Sequence, residues 1–258
     1  MLVIRKEQIK ILRGDILRRF EDEMVQHLAT FSPPLFRVIK EDQMREAARV
    51  GIRHARSYGF ELRGPIRLYL ELMLLFGSHF DTDPQYPWAA AILSDERSVS
   101  EMQRAEWLFE QTIEYQERVS GEGGANTTRA LRKLLDIGRT LPTFAAAEFE
   151  PVMHRELRNA FPEKVDFIGQ NALATLLRTS MADARQYDLP STRGEMLLLI
   201  LTFAFGHRCA DDPLYPWIGR TLTDERIVNG GARAERLEKK AMTWLEHVVR
   251  GAQGDLSL

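Results

Sequence analysis

The chain has 258 residues, of which 44% are hydrophobic and 28% are charged, a composition typical of a globular protein and unlike that of a disordered one. Its 35 basic and 37 acidic side chains nearly balance, which argues against a strongly basic nucleic-acid-binding protein. The single cysteine, Cys209, excludes an intramolecular disulfide and an all-cysteine zinc site.

The N-terminal segment is basic and apolar, but charged residues interrupt every stretch that could form the core of a signal peptide. The longest apolar runs, Leu72–Gly77 and Met196–Gly206, are shorter than the ~20 residues that a membrane-spanning helix needs. We therefore expect a cytoplasmic protein that does not insert into a membrane.

One unit of sequence occurs twice in the chain, at an offset of 129 residues. The stretch FGSHFDTDPQYPW begins at Phe76, and FGHRCADDPLYPW begins at Phe205. The same ungapped offset aligns positions across most of each half, for example Phe20 with Phe149. This register predicts an internal duplication. The Gly-rich polar stretch 120–129 is then a linker between copy one, 1–119, and copy two, 130–258.

Apolar residues recur every three or four positions along each copy, which predicts amphipathic helices. The first helix of copy one has such a face, formed by Ile9, Leu12, Ile16, Phe20, Met24 and Leu28. A second helix is predicted over 41–57 and 165–186. A third is predicted over 65–76 and 194–205, and it is apolar nearly all round and therefore buried.

A short helix is predicted after each Pro-Trp pair, and a long helix closes each copy. In copy one this last helix carries the apolar residues Val99, Met102, Ala105, Phe109 and Ile113. No segment alternates between apolar and polar residues as a half-buried strand would. The sequence therefore predicts an all-α protein of two tandem, internally duplicated helical bundles of about five helices each.

A loop motif follows the third helix and is the best-preserved stretch between the copies. Its residues are Gly77, Asp83, Pro84, Tyr86, Pro87 and Trp88 in copy one and Gly206, Asp212, Pro213, Tyr215, Pro216 and Trp217 in copy two. Glycine suits a helix end because it adopts a left-handed conformation without steric cost. Proline suits the first turn of the next helix, and aspartate caps backbone N–H groups. These roles predict a structural loop.

His79, Asp81 and Asp83 crowd the copy-one loop and are residue types that bind cations. Copy two has Arg208 and Ala210 at the first two of these positions, so the site is not repeated. We therefore expect no metal and no other cofactor, with a metal-dependent enzyme that uses the three side chains as the alternative. Because exposed charge differs most here, His79, Asp81 and Arg208 mark the expected binding surface.

No nucleophile elbow, P-loop or dinucleotide-binding fingerprint occurs in the sequence. Basic residues of the first helix interleave with acidic ones, so nucleic acid is not an expected partner. These observations favour a non-catalytic module that binds another protein in a cleft between its two bundles. A helical sensor that holds a small ligand in a bundle cavity is a third interpretation.

Copy one resembles a group of small helical proteins from bacterial gene clusters of type VI secretion and related contractile injection systems. The residues that carry the resemblance are Ile4–Gln8, Arg19–Phe20, Met24, His27–Leu28 and Leu75–Ala89. In copy two only the core of the loop motif is similar. The resemblance implies an adaptor or chaperone for a secreted effector, or an immunity protein, whose partner is an effector, a toxin or a spike component. It supplies no catalytic residues.

Overall fold

The computed structural model describes the backbone of residues 6–95, 99–140, 144–189 and 192–254, and the side chains from 14 to 250 within those ranges. The described residues form eleven α-helices and three short turns of π or 3-10 helix, and they contain no strand. The prediction of an all-α protein is confirmed. None of the described helices is both long enough and apolar enough to cross a lipid bilayer.

The helices of the first half are α1 (Lys6–Phe31), α2 (Pro33–Ser57), α3 (Arg63–Phe76), α4 (Pro87–Leu93) and α5 (Glu101–Tyr115). A π-helical turn (Gln116–Ser120) and a 3-10 turn (Glu122–Gly124) lead into the second half. Its helices are α6 (Ala125–Thr140), α7 (Phe149–Ala160), α8 (Pro162–Gln186), α9 (Thr192–Phe205), α10 (Pro216–Leu222) and α11 (Gly230–Gly254), with a 3-10 turn (Ala146–Glu148) before α7.

The helices of the two halves correspond at the offset of 129 residues. Helices α2, α3 and α4 begin and end at positions equivalent to the ends of α8, α9 and α10. Their backbone exceptions correspond as well, since Lys40 inside α2 and Gly169 inside α8 have φ of 67° and 78°. Gly77 and Gly206, which end α3 and α9, have φ of 97° and 96°. The halves differ at their starts, where α6 and α7 stand in place of the single helix α1.

The hydrophobic interior is shared between the halves. Its larger cluster joins Leu28 and Tyr69 of the first half to Met153 and Leu199 of the second. The smaller cluster lies mostly in the second half but includes Ala47 of α2. The division into two separate bundles at 120–129 therefore stays a prediction.

The predicted linker is largely helical, because a 3-10 turn and the first residues of α6 occupy it. Val119 and Ser120, at its start, are both buried. The chain therefore passes from one half to the other through helical structure that is buried at Val119 and Ser120 and half-buried or exposed over 121–129.

Helix α5 packs through a different face from the one that its apolar residues suggest. It buries Ala105, Leu108, Thr112 and Tyr115. Met102, Phe109 and Ile113, three of the apolar residues expected on this helix, are instead exposed. By contrast, α9 is buried from Met196 to Phe203, as its apolar sequence predicts.

Candidate functional site

The backbones of the two loop-motif copies cross in close contact at Gly77 and Gly206. A Cβ atom added to Gly77 would lie 2.3 Å from the carbonyl oxygen of Phe205, and one added to Gly206 would lie 2.7 Å from that of Phe76. Both glycines also have positive φ, which side chains disfavour. Glycine is therefore required at both positions for two independent reasons.

The motif aspartates hold the crossing together by reciprocal hydrogen bonds. The backbone N–H of His207 donates to Oδ2 of Asp83 at 2.7 Å, and that of Ser78 donates to Oδ2 of Asp212 at 2.8 Å. The Ser78 hydroxyl adds a second bond to Asp212, at 2.5 Å. All four residues occupy equivalent positions of the two copies, so each half supplies the carboxylate that satisfies the other half's backbone.

Each aspartate also caps its own loop. Oδ1 accepts from the backbone N–H two residues ahead, that of Gln85 for Asp83 and that of Leu214 for Asp212, both at 2.8 Å. Both oxygens of Asp83 are thus committed to backbone donors inside the protein. The alternative metal site of His79, Asp81 and Asp83 stays a prediction, in which a cation at Asp83 would compete with these backbone donors.

The remaining motif residues connect the loops to the helices. Pro84 and Pro213 follow the aspartates, and Pro87 and Pro216 begin α4 and α10. The aromatic residues pack on the last residue of the preceding helix. Ring centroids are 4.6 Å apart for Phe76 and Tyr86, 5.7 Å apart for Phe76 and Trp88, and 4.6 Å apart for Phe205 and Tyr215.

The three residues expected to form a binding surface lie close enough to interact electrostatically. Arg208 is exposed and bonds Asp211 at 3.3 Å. Burial, together with the positive charge of Arg208, lowers the pKa of His79 to about 4, so its imidazole is neutral at physiological pH. Asp81 is buried and accepts a hydrogen bond from the Tyr58 hydroxyl at 3.0 Å.

His54, which the sequence analysis does not single out, joins His79 and Asp81. Its ring centroid lies 5.7 Å from that of His79. One potential ligand atom from each of the three side chains lies within 4.8 Å of the other two. The available signal was the last turn of α2, where His54 precedes Tyr58 by four residues and so shares its face.

Two tyrosine hydroxyls surround this cluster. Burial and the charge of Asp81 raise the pKa of Tyr58 to about 12 and raise that of Tyr69 further. Both phenols therefore keep their protons at neutral pH and can act as hydrogen-bond donors. The buried hydroxyl of Tyr69 lies beside the carboxylate of Asp81, which is its polar neighbour.

The aromatic cluster of the first half is closed by α8. Phe167 lies against Tyr115, with ring centroids 5.3 Å apart. Lys164 is buried beside it and donates to the carbonyl oxygen of Phe203 at 2.6 Å. Burial lowers the pKa of Lys164 to about 8. These two side chains fill the space between α8 and the first half.

The equivalent cluster of the second half is open. Trp244 packs on Phe205 with ring centroids 4.6 Å apart. On α2, however, the smaller residues Leu35 and Val38 stand at the positions that Lys164 and Phe167 occupy on α8, and Val38 is 43% exposed. Two adjoining cavities of about 710 Å³ and about 690 Å³ result. We call them together the α2–α11 cleft.

The α2–α11 cleft has an apolar floor and a positively charged rim. Its described apolar lining residues are Pro34, Leu35, Val38, Leu74, Tyr215, Trp217, Trp244 and Val248, and its arginine and lysine residues are Arg37, Arg236, Lys239, Lys240 and Arg250. Glu246, the one carboxylate among the described lining residues, pairs with Arg139 at 2.6 Å and with Arg250 of the rim at 3.5 Å, so the other rim cations stay unneutralised by it. Burial is the main cause that lowers the pKa of Lys240, and the neighbouring charge of Arg236 adds to it.

Comparisons with protein-family models, with curated proteins and with solved structures find no match to this chain. The resemblance to secretion-system accessory proteins therefore stays a prediction from the sequence. The functional argument depends on the geometry of the cleft and of the residues around it.

Proposed function

We propose that the protein is a non-catalytic binding module that holds an acidic, partly apolar segment of a partner protein in the α2–α11 cleft. The observation that carries the proposal is the pairing of an aromatic floor with a cationic rim in cavities of about 710 Å³ and about 690 Å³. The equivalent position of the first half is filled by Phe167 and Lys164, so the cleft is not a by-product of the duplicated fold.

The floor and the rim support different parts of the binding. Burial of apolar side chains of the partner on Trp217, Trp244 and Val38 supplies affinity, at roughly 25 cal/mol for each Å² removed from water. The rim charges attract a segment of opposite charge, orient it and speed its association. A chain with a net charge of −2 that concentrates basic residues around one apolar cleft is suited to an acidic partner.

The identity of the partner is proposed from the sequence resemblance alone. That resemblance supports a secreted bacterial effector, a toxin or a secretion spike component. Holding an effector for loading corresponds to an adaptor or chaperone, and blocking a toxin corresponds to an immunity protein. Both roles need a binding surface and neither needs a catalytic group.

Selection from a displayed random-peptide library tests the proposal, because it requires no knowledge of the partner. We expect the full-length protein to enrich peptides that combine Asp or Glu with aliphatic or aromatic residues. Val38→Glu introduces a negative charge at an exposed floor position, and Lys239→Glu reverses a rim charge. Each is expected to weaken a selected peptide at least about tenfold, or about 1.4 kcal/mol.

Arg53→Glu is the matched control, since Arg53 is exposed on α2 but does not line the cleft. It should leave the affinity unchanged. Enrichment of basic peptides, or equal weakening by the control and the cleft variants, would reject the proposal. Saturable binding of a small anion that competes with no peptide would favour the small-ligand interpretation instead.

A further inference from the structure

We propose that His54, His79 and Asp81 form a binding site for one divalent transition-metal ion, of which Zn²⁺ is the representative. This site is separate from the proposed partner contact, since none of the three residues lines the α2–α11 cleft. It also replaces the ligand set suggested by the sequence, with His54 in the place of Asp83.

The first argument is that two buried imidazole nitrogens, Nδ1 of His54 and Nε2 of His79, are left without partners. They lie next to the carboxylate of Asp81, whose neighbours are the hydroxyls of Tyr58 and Tyr69. Buried polar atoms in proteins nearly always have a hydrogen-bond partner, and one without a partner destabilises the folded state. Two such nitrogens beside one carboxylate point to a group that the three side chains bind in common.

The second argument is distance. The potential ligand atoms lie within 4.8 Å of one another. Atoms bound to one ion at 2.0–2.2 Å in tetrahedral geometry lie about 3.4 Å apart. Small rotations of the side chains are therefore enough to bring all three within bonding distance of one ion. Among the described residues, this is the group of histidine, cysteine and carboxylate side chains close enough to do so.

The third argument is chemical. Two imidazole nitrogens and one carboxylate oxygen form a ligand set typical of Zn²⁺ and of non-haem Fe²⁺, with coordination positions left for water. The Tyr58 hydroxyl holds the other oxygen of Asp81 at 3.0 Å, as outer-sphere donors orient ligating carboxylates.

The equivalent positions of the second half lack this set. Asp183, Arg208 and Ala210 stand where the first half has His54, His79 and Asp81. An arginine and an alanine cannot replace an imidazole and a carboxylate as ligands. The fold therefore forms without this trio in one half, so its assembly in the other is not explained by the fold.

Titration of the full-length, metal-free protein with Zn²⁺ by calorimetry, and with Co²⁺ by visible absorption, tests the site. We expect one equivalent of either ion to bind and to raise the midpoint temperature of unfolding. His79→Ala and Asp81→Asn are each expected to weaken binding at least 100-fold. Tyr58→Phe, which removes only the outer-sphere bond, is expected to weaken it 10- to 100-fold.

His154→Ala is the control, because this histidine lies on α7, away from the cluster, and should leave binding unchanged. Circular dichroism of each metal-free variant checks folding, and His54→Gln provides a second ligand variant of similar size. The proposal is overturned by the absence of saturable binding at one equivalent. It is equally overturned if folded His79→Ala and Asp81→Asn proteins bind as tightly as the wild type.

Discussion

Asp212 stabilises the loop through hydrogen bonds, but its burial disfavours the ionised form of the carboxylate. Burial raises its pKa to about 6, although hydrogen bonds from Ser78 and Leu214 favour the ionised form. An aspartate in the unfolded chain has a pKa of about 3.9. The folded protein therefore binds one more proton than the unfolded chain between these two values.

A pH dependence of stability follows from Asp212. Because folding takes up a proton, the free energy of unfolding should fall as the pH rises from about 4 to about 6, by roughly 2–3 kcal/mol from this residue. Asp212→Asn should remove that part of the slope. Urea unfolding at pH values from 4 to 7 measures it.

Asp42→Asn, which changes an exposed aspartate of α2, is the control and should leave the slope in place. A slope that persists in Asp212→Asn would show that another group is responsible.

The sequence could predict the roles of single motif residues but not their partners. Glycine at a helix end and aspartate before proline indicate a loop of defined geometry. That the carboxylate of Asp83 accepts from His207, in the other half, depends on a contact between residues 124 positions apart. His54 was missed for the same reason, since a histidine on an amphipathic helix is ordinary until the loop packs against it.

At the scale of helices, one position of α2 stores backbone strain. Lys40 has φ of 67° and ψ of 174°, a region that is almost restricted to glycine. The equivalent residue of α8 is Gly169, with φ of 78° and ψ of 170°. The same backbone conformation is thus adopted by Gly169, which accommodates a positive φ, and by Lys40, whose Cβ atom disfavours it.

Exchange of these residues should change stability in opposite directions. Lys40→Gly is expected to raise the free energy of unfolding by about 1 kcal/mol, because glycine relieves the backbone strain. The lysine side chain is exposed, so its removal costs little packing. Gly169→Ala is expected to lower it by about 1–3 kcal/mol. Denaturant unfolding at neutral pH measures both, and changes of the same sign would contradict this account.

Helix ends were predictable and one helix face was not. Proline and glycine at the ends of α3, α4, α9 and α10 limit where these helices can run, so the predicted bounds lie within a few residues of the observed ones. In α5, apolar residues occur on more than one side. The face of α5 that carries Leu108 and Tyr115 is the buried one, and contacts with distant helices rather than the sequence of α5 determine this.

At the scale of the molecule, the halves share a core and cross at two glycines, so we expect them to unfold together. Gly77→Ala and Gly206→Ala each force a side chain into positive φ and into a carbonyl oxygen of the other half. Each should lower the free energy of unfolding by about 3–5 kcal/mol.

Gly14→Ala is the matched control, since Gly14 lies inside α1 with no atom within 4 Å of an added Cβ. It should raise stability by about 0.5–1 kcal/mol, because alanine favours helix. Differential scanning calorimetry of the three variants checks both expectations. Two separate transitions, only one of which shifts in Gly77→Ala, would show that the halves are independent.

The sequence predicted the helical class, which the structure confirms, but neither the shared core nor the cleft. An ungapped offset shows which positions correspond, and it does not show how the corresponding elements meet. The α2–α11 cleft depends on the difference between Phe167 and Val38, which matters only once α2 and α8 are known to cover equivalent aromatic clusters.

The reciprocal bonds of Asp83 and Asp212 have a consequence for how this protein can evolve. A substitution of either aspartate removes an acceptor from the opposite half as well as from its own loop. Neither copy of the motif can therefore diverge alone without harming its counterpart. Phe80 and Cys209 occupy equivalent positions beside the motif aspartates, and there the two halves differ in sequence.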